Sequence, residues 1–331
     1  MILITGGTGL VGAHLLLHLV ENEDSVRAIY RNSIGIEKTK SLFKLYQKEL
    51  LFLKIDWVQA DITDVPSLEI AFKNVDYVYH CAGLISYDQN DQNALRKTNI
   101  EGTANIVNFC LEYNIKKLCH VSSIAALGNL MPHQEYIAED NEWNPEISHS
   151  DYAISKYGAE MEIWRGQQEG LNIVIVNPGV ILGTGFWNQG SGLFFTKIKK
   201  GFPFYTLGIT GYVGVTDLVK IMMQLMKSNI VGERFIVIAE NNSFKKVTFK
   251  IAENLKAKKP KIQAKKWMLS LAWRLDWLAS TFIRTKRKIS KQTAVSLQNV
   301  DKISNTKIKN ALNFDFQSIE NVITEVVRLQ K

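Results

Sequence analysis

Runs of apolar residues of four to six positions alternate with longer segments whose apolar positions recur at helical spacing, and this alternation covers the first half of the chain. Met1–Thr5, Val26–Tyr30, Asp56–Ile62, Val75–His80, Lys117–Val121 and Leu171–Val176 read as strands, most of them with no polar interruption, as strands buried on both faces do. Between them His14–Val20, 37–52, 66–73, Thr98–Tyr113 and a helix opening at Asp151 read as helices. Strand and helix in alternation, with no internal repeat, predict an α/β fold: a doubly wound parallel sheet. The one long interruption is Gly128–Ser150, with Pro132, Pro145, His133 and His149; a connection of that length points to a role beyond joining two elements.

After Thr184 the pattern changes. Phe186, Trp187, Phe194, Phe195, Phe202, Phe204 and Tyr205 crowd one short region and predict a lobe packed on the sheet, part of it a pocket wall. Helical patterns return at Asp217–Met226 and 306–328, and a strand at Glu233–Ala239. The expected division is a dinucleotide-binding part over 1–183, with a returning segment near 211–240, and a smaller, mostly helical substrate lobe over 184–210 and 241–331. Residues 267–283, WMLSLAWRLDWLASTFI, are apolar nearly all round a helical wheel, with Trp267, Leu271, Leu275, Leu278 and Phe282 on one face, and Arg284-Thr285-Lys286-Arg287-Lys288 follows. Burial favours a cap helix over the pocket; the alternative is an interfacial helix on anionic lipid through 267–288.

The 331 residues, 46% hydrophobic and 22% charged, are enough for a real core. No run of 18 uncharged apolar residues occurs, and the first strand leaves no room for a leader peptide, so a cytoplasmic protein is expected. Cys81, Cys110 and Cys119 lack metal-ligand spacing and their number is odd, which argues for reduced thiols. His133 and His149 have no partners at ligand spacing, so no metal is expected. The net charge of +8 is uneven: residues 251–331 hold 17 Lys and Arg against 6 Asp and Glu. A lysine-rich solvated surface accounts for this; nucleic-acid binding has no motif to support it.

Chemistry concentrates at the carboxyl ends of the strands. After Thr5 come Gly6, Thr8, Gly9, Leu10, Val11 and Gly12, a glycine turn between strand and helix. Such a turn lets backbone approach a pyrophosphate at a helix N-terminus. Strand two is followed by Arg31, with Lys38 shortly after and no acid to take a ribose 2′-hydroxyl; an arginine there suits a 2′-phosphate, so NADP(H) is the expected cofactor, with NAD(H) the other candidate. Asp61 would accept a bond from an adenine amino group, and Cys81-Ala82-Gly83 would let backbone lie against the cofactor. Tyr152 and Lys156 are four apart and share a helix face, so the ammonium can favour the phenolate. Ser123 can donate to a substrate oxygen, and Asn99 could hold a water behind the lysine.

Taken together, Thr5-Gly6-Gly7-Thr8-Gly9-Leu10-Val11-Gly12, Asp61-Ile62, His80-Cys81-Ala82-Gly83, Asn99-Ile100-Glu101-Gly102-Thr103, Ser122-Ser123, Tyr152-Ala153-Ile154-Ser155-Lys156 and Asn177-Pro178-Gly179 resemble the extended short-chain dehydrogenase/reductases. The resemblance implies a Rossmann-type fold, Ser123, Tyr152 and Lys156 as catalytic triad and Asn99 as proton relay. It places Ile62, Ser122, Pro178, Gly179 and Val180 along the cofactor, and implies a homodimer through helix packing. Arg31 is similar to the dihydroflavonol 4-reductase-like and related NADP-dependent members, and the 3β-hydroxysteroid dehydrogenase-like pattern is close. Ala126-Leu127-Gly128 and Asn177-Pro178-Gly179-Val180 depart from the nucleotide-sugar epimerases and dehydratases, which usually carry an aromatic residue after the serine and an Arg-Pro-x-Asn stretch. The expected activity is carbonyl–alcohol interconversion on a small, fairly apolar substrate. Alternatives are an NDP-sugar epimerase or dehydratase with tightly bound NAD, and a non-catalytic NAD(P)-binding sensor or assembly protein.

Overall fold

The computed structural model describes all residues except Asp24, Pro132, 284–289 and Lys331. In chain order the strands are β1 (Ile2–Thr5), β2 (Val26–Tyr30), β3 (Ile55–Gln59), β4 (Tyr77–His80), β5 (Lys117–Val121), β6 (Ile173–Pro178), β7 (Val180–Leu182), β8 (Phe204–Tyr205), β9 (Ile209–Gly214), β10 (Glu233–Val237), β11 (Glu240–Ser243) and β12 (Ile262–Gln263). The helices are α1 (Leu10–Asn22), α2 (Ser33–Leu45), α3 (Glu49–Phe52), α4 (Val65–Ala71), α5 (Gln92–Leu95), α6 (Gly102–Glu112), α7 (Asp151–Gln168), α8 (Gly192–Lys199), α9 (Val215–Lys227), α10 (Phe244–Asn254), α11 (Lys266–Ile283), α12 (Lys291–Ser296), α13 (Thr306–Leu312) and α14 (Ile319–Leu329).

Seven parallel strands form the central sheet in the order β3-β2-β1-β4-β5-β6-β10. The order reverses between β1 and β4, and a ligand crevice opens outside the strand ends at such a point. Side chains alternate across the sheet. Ile4, Tyr79, Cys119 and Val174 meet the leucines of α1 and the apolar side of α9; Leu3, Val78, Leu118 and Ile173 meet α4, α6 and α7. Burial on both faces is why these strands read as apolar runs.

The segment after β7 returns to the sheet: β9 joins β7 and β11 in a small three-stranded sheet, and β10 adds the last strand of the large one. From the aromatic-rich stretch Phe195, with Trp187 and Phe194, joins Tyr212, Val247, Ile251 and the buried side of α14 in one cluster, while Phe186 packs against Ala13 of α1 and Leu42 of α2. Of the seven aromatics, Phe202 is exposed. The long interruption over 128–150 is pinned rather than loose. Trp143 stacks between His149 (3.7 Å) and Tyr157 of α7 (4.4 Å), and the buried Asn141 bonds Ala138 N, Asn129 O and Gln134 Oε1.

Several elements differ from their sequence expectation. The helix over 37–52 breaks at Gln47, which is left-handed (φ 57), while Lys48 N donates to Phe43 O; this is the ordinary way of closing a helix. The 306–328 pattern splits into α13 and α14 at Asn313, also left-handed (φ 47). The third strand stops at Gln59 because Asp61 folds into a turn of its own. The helix from Thr98 begins instead as a π turn, Arg96–Glu101, around Asn99. The apolar stripe expected to cap a pocket, Trp267, Leu271, Leu275 and Leu278 on α11, faces solvent. The basic run 284–288 lies outside the described residues.

Close packing at the glycine turn is a sharp constraint on the fold. A Cβ on Gly12 would stand 2.2 Å from Gly6 O, backbone against backbone. Helix propensity alone would make Gly12→Ala stabilising by about 1 kcal/mol. The geometry predicts the opposite sign, a loss of about 1–3 kcal/mol in urea unfolding.

Candidate active site

The glycine turn opens the site. Gly6 takes φ +69, and a Cβ there would meet Ala82 N at 2.6 Å, so the first turn and the segment after β4 touch through backbone. Gly9 N donates to Gly6 O (3.0 Å), and α1 begins at Leu10 with its first N–H groups at the carboxyl edge of the sheet. Thr39 Oγ1 donates to Gly7 O (3.1 Å), and Thr8 lies against Gly35 so closely that a Cβ there would be 2.9 Å away. The start of α2 therefore adjoins the glycine turn. Arg31 is exposed just before it, and Asn32 caps α2 by accepting from Gly35 N (3.2 Å). Lys38 is exposed beyond the first turn of α2.

Behind the turn runs a buried polar chain. Ala82 N donates to Thr5 Oγ1 (3.2 Å), which bonds His80 Nδ1 (2.7 Å); His80 Nε2 bonds Thr103 Oγ1 (3.0 Å), which donates to Asn99 O (2.5 Å). Thr103 spends its one proton on Asn99 O, so His80 Nε2 must carry the hydrogen and Nδ1 must accept from Thr5. His80 is neutral: burial first, then the Lys156 charge, pushes it down to about 3. His120, its neighbour on β5 at 5.1 Å between ring centres, is held well below its ordinary value by burial, Lys156 and His80. Asn99 is a brace: Oδ1 accepts from Leu84 N (2.7 Å), while Nδ2 donates to Leu84 O (3.0 Å) and Ser155 Oγ (2.9 Å). A water behind the lysine would thus find only the second lone pair of Oδ1.

Helix α7 brings Tyr152 and Lys156 to the ends of β4 and β5. Ser150 caps it, accepting from Ala153 N (3.1 Å). Lys156 is buried and donates from Nζ to Val121 O (2.8 Å). Burial pulls its ammonium down to about 8, opposed by Glu160 one turn on and by Cys81. A Cβ on Gly83 would lie 3.4 Å from Asn99 Oδ1 and 3.9 Å from Lys156 Nζ, at ordinary contact distance from both, so this segment adjoins the two polar groups. Burial raises the Tyr152 hydroxyl well above the ordinary phenol value, Tyr87 adds to this, and a hydrogen bond with Ser123 opposes it. Ser123, at the start of a short 3₁₀ turn, also accepts from Ala125 N (3.1 Å). Tyr152, Lys156, Ser123 and Asn99 therefore meet at the crevice.

Other expected residues have their side chains engaged elsewhere. Asp61 Oδ1 is bonded by Thr63 N and Thr63 Oγ1, both at 2.9 Å. Ile62 packs under Gly102, and Cys81 N is held by Thr5 O. Ser122 turns its hydroxyl away to Glu160 Oε2 (2.7 Å). Pro178 ends β6 and Val180 opens β7; between them, a Cβ on Gly179 would stand 2.3 Å from Gly211 O. Leu10 and Val11 are half-buried against the core at the start of α1.

Two features escaped the sequence reading. Tyr87, exposed on the segment after β4, meets the Tyr152 ring edge-on at 5.8 Å and forms a second wall of the crevice. Glu160, fully buried, accepts from Ser122 Oγ and Asn177 Nδ2 (2.9 Å) and pairs with Arg234 Nη1 (2.9 Å); Asn177 Nδ2 also holds Ser123 O (3.0 Å). Glu160 is one helical turn beyond Lys156, which was a legible signal; its partner Arg234, on β10, was not.

A family model for the NAD dependent epimerase/dehydratase family matches residues 2–239. The chain belongs to that family. This makes it an NAD(P)-dependent enzyme of an oxidoreductase and epimerase class, and the glycine cradle, the α1 N-terminus and the backbone contact at Ala82 fit a dinucleotide. The chain is 29% identical over 280 residues to a putative dihydroflavonol 4-reductase of Synechocystis, covering 82% of this chain and 77% of that one. It is 30% identical over 250 residues to tetraketide alpha-pyrone reductase 2 of Arabidopsis thaliana, covering 71% and 76%. In fold it is similar to the UDP-glucose 4-epimerase of Thermus thermophilus solved with NAD, with TM-score 0.75, 19% identity and coverage of 99% and 98%.

The Glu160 carboxylate works on Lys156 by charge. Lysine is cationic below its pKa, so following the Lys156 signal by NMR in lysine-labelled protein gives loss of charge as pH rises through about 8. In Glu160→Gln the midpoint moves to lower pH; an unmoved midpoint removes Glu160 from this role.

Proposed function

We propose that the protein is an NADP(H)-dependent reductase that interconverts a carbonyl and an alcohol on a small, fairly apolar compound. The observation that carries this reading is the convergence of Tyr152, Lys156 and Ser123 beside the glycine cradle, where Ser123 works against the burial that raises the Tyr152 hydroxyl. The bound nicotinamide supplies or takes hydride at the substrate carbon. In reduction Tyr152, protonated at neutral pH, gives its proton to the substrate oxygen. Ser123 donates a hydrogen bond to the same oxygen, and the Lys156 ammonium stabilises the phenolate left behind. Asn99 holds the π turn in place and offers its remaining Oδ1 lone pair to a water beside Lys156. The reductase names of both relatives support this direction of chemistry.

Arg31 supports the choice of NADP(H). It is exposed beside the N-terminus of α2, and among the described residues its guanidinium has no recorded ion-pair or hydrogen-bond partner. A 2′-phosphate there would gain a bidentate cation and the helix dipole together. Arg31→Ala is expected to weaken NADPH binding by about tenfold, the worth of about 1.4 kcal/mol, and to leave NADH binding nearly unchanged. Equal losses for both would reject NADP(H) selectivity at this residue.

Tyr152→Phe is expected to lower carbonyl reduction by about 10²–10⁴-fold, with NADPH still bound by fluorescence titration. Retained turnover would reject the mechanism. In the wild type the reductive rate is flat at neutral pH and falls as Lys156 loses its charge above about 8. A panel of ketones and sugar nucleotides separates the reading from its rival: inversion or dehydration of an NDP-sugar without net NADPH consumption would assign the chain to the epimerase branch.

A further inference from the structure

Helix α11 is built inside out. At 100° per residue Trp267, Leu271, Leu275 and Leu278 form one stripe, and their exposures are 66%, 49%, 55% and 41%. The opposite side carries Leu269, the one buried side chain among those described in the helix, with Ala272, Trp273 and Asp276 half-buried. Leu269 joins Ala264 and Ala294 in a small cluster through which α11 rests on α12. A surface helix of a globular protein turns its apolar stripe inward and its charges outward. Here Trp267, Leu271, Leu275 and Leu278 face out, while a carboxylate lies on the inner side with Trp273. Scattered exposed leucines need no explanation, but four large apolar residues in register along the 12 positions from Trp267 to Leu278 form a contiguous face.

Charge says what covers it. Lys256, Lys258, Lys259, Lys261, Lys265 and Lys266 precede the face and are all exposed, with Glu253 as the nearby acid. In the sequence, four more cations follow within Arg284–Lys288. Two copies meeting through this face would bring one basic rim against the other. An anionic lipid surface neutralises the rim and takes up the apolar stripe at the same time. Tryptophan at the end of the stripe suits the headgroup boundary, where an indole ring can be half apolar and half wet. Among the described residues no helix is long and apolar enough to cross a membrane, so contact is along the surface.

We propose that α11 lays its Trp267–Leu278 face on the anionic surface of a lipid bilayer. The proposal does not depend on the reductase reading. The test is co-sedimentation of the full-length protein with vesicles of phosphatidylcholine alone and of phosphatidylcholine with phosphatidylglycerol. The protein is expected to sediment with the anionic vesicles, less so at high salt, and to remain in the supernatant with the neutral ones. Leu271→Glu together with Leu275→Glu is expected to lower binding at least tenfold while melting temperature and NADPH binding stay as in the wild type. These side chains are exposed and touch neither the crevice nor the core, so folding is not at stake. Equal partition into both supernatants, or a double variant that sediments like the wild type, overturns the proposal. A concentration-dependent dimer that the same double substitution abolishes would assign the face to a second copy and overturns it too.

Discussion

A single buried cation organises the crevice. Lys156 gives up water for one backbone acceptor, Val121 O, and a carboxylate one turn along its own helix. Burial costs a charge far more than it costs a neutral amine, which is why its pKa falls toward neutrality. Glu160 and Cys81 oppose that fall, while the surrounding elements approach the lysine closely. Two glycines permit that approach: a Cβ on Gly158 would strike Ile100 at 2.6 Å, and one on Gly102 would strike Ile62 at the same distance. Helix α7 can thus settle against the π turn and place Lys156 under the end of β5.

The second constraint is the chain of hydroxyls and imidazole from Ala82 to Asn99. It couples the backbone that would lie along the cofactor to the brace beside Lys156, through groups that are all buried. A neutral His80 with a fixed tautomer keeps every donor in that chain matched to an acceptor. The Glu160–Arg234 pair does the same on the other side: it ties Ser122, Asn177 and, through Asn177, the Ser123 carbonyl to the last strand of the sheet. The proton-bearing groups are held from both sides by buried polar networks. Removing a partner from such a network strands a charge or a dipole.

The strands were legible because both faces of the sheet are buried; Val26–Tyr30 and Lys117–Val121 have the same bounds in sequence and structure. The glycine turn and the Tyr152–Lys156 spacing were legible because each is local. The π turn at Asn99 was not, since tertiary hydrogen bonds decide it: Leu84 and Ser155, which hold Asn99, are 15 and 56 residues away. Gln47 was missed although the bonds that close its helix are local. Asn313 was missed although Asn tolerates the left-handed conformation. The apolar stripe of α11 could be counted from sequence, but its direction could not. Periodicity shows that a helix has a face, and only packing shows whether that face turns inward.

Isotope transfer reads out whether Tyr152, Lys156 and Ser123 serve net hydride transfer from NADPH to a carbonyl. The enzyme is incubated with NADPH carrying deuterium at C4 of the nicotinamide and with a panel of apolar ketones, and the products are read by mass spectrometry and NMR. The expected product is an alcohol with deuterium on the carbinol carbon, from one face of the nicotinamide only, with one NADP⁺ formed per product. Absence of label from every alcohol, with sugar-nucleotide products that form without consuming NADPH, would contradict it.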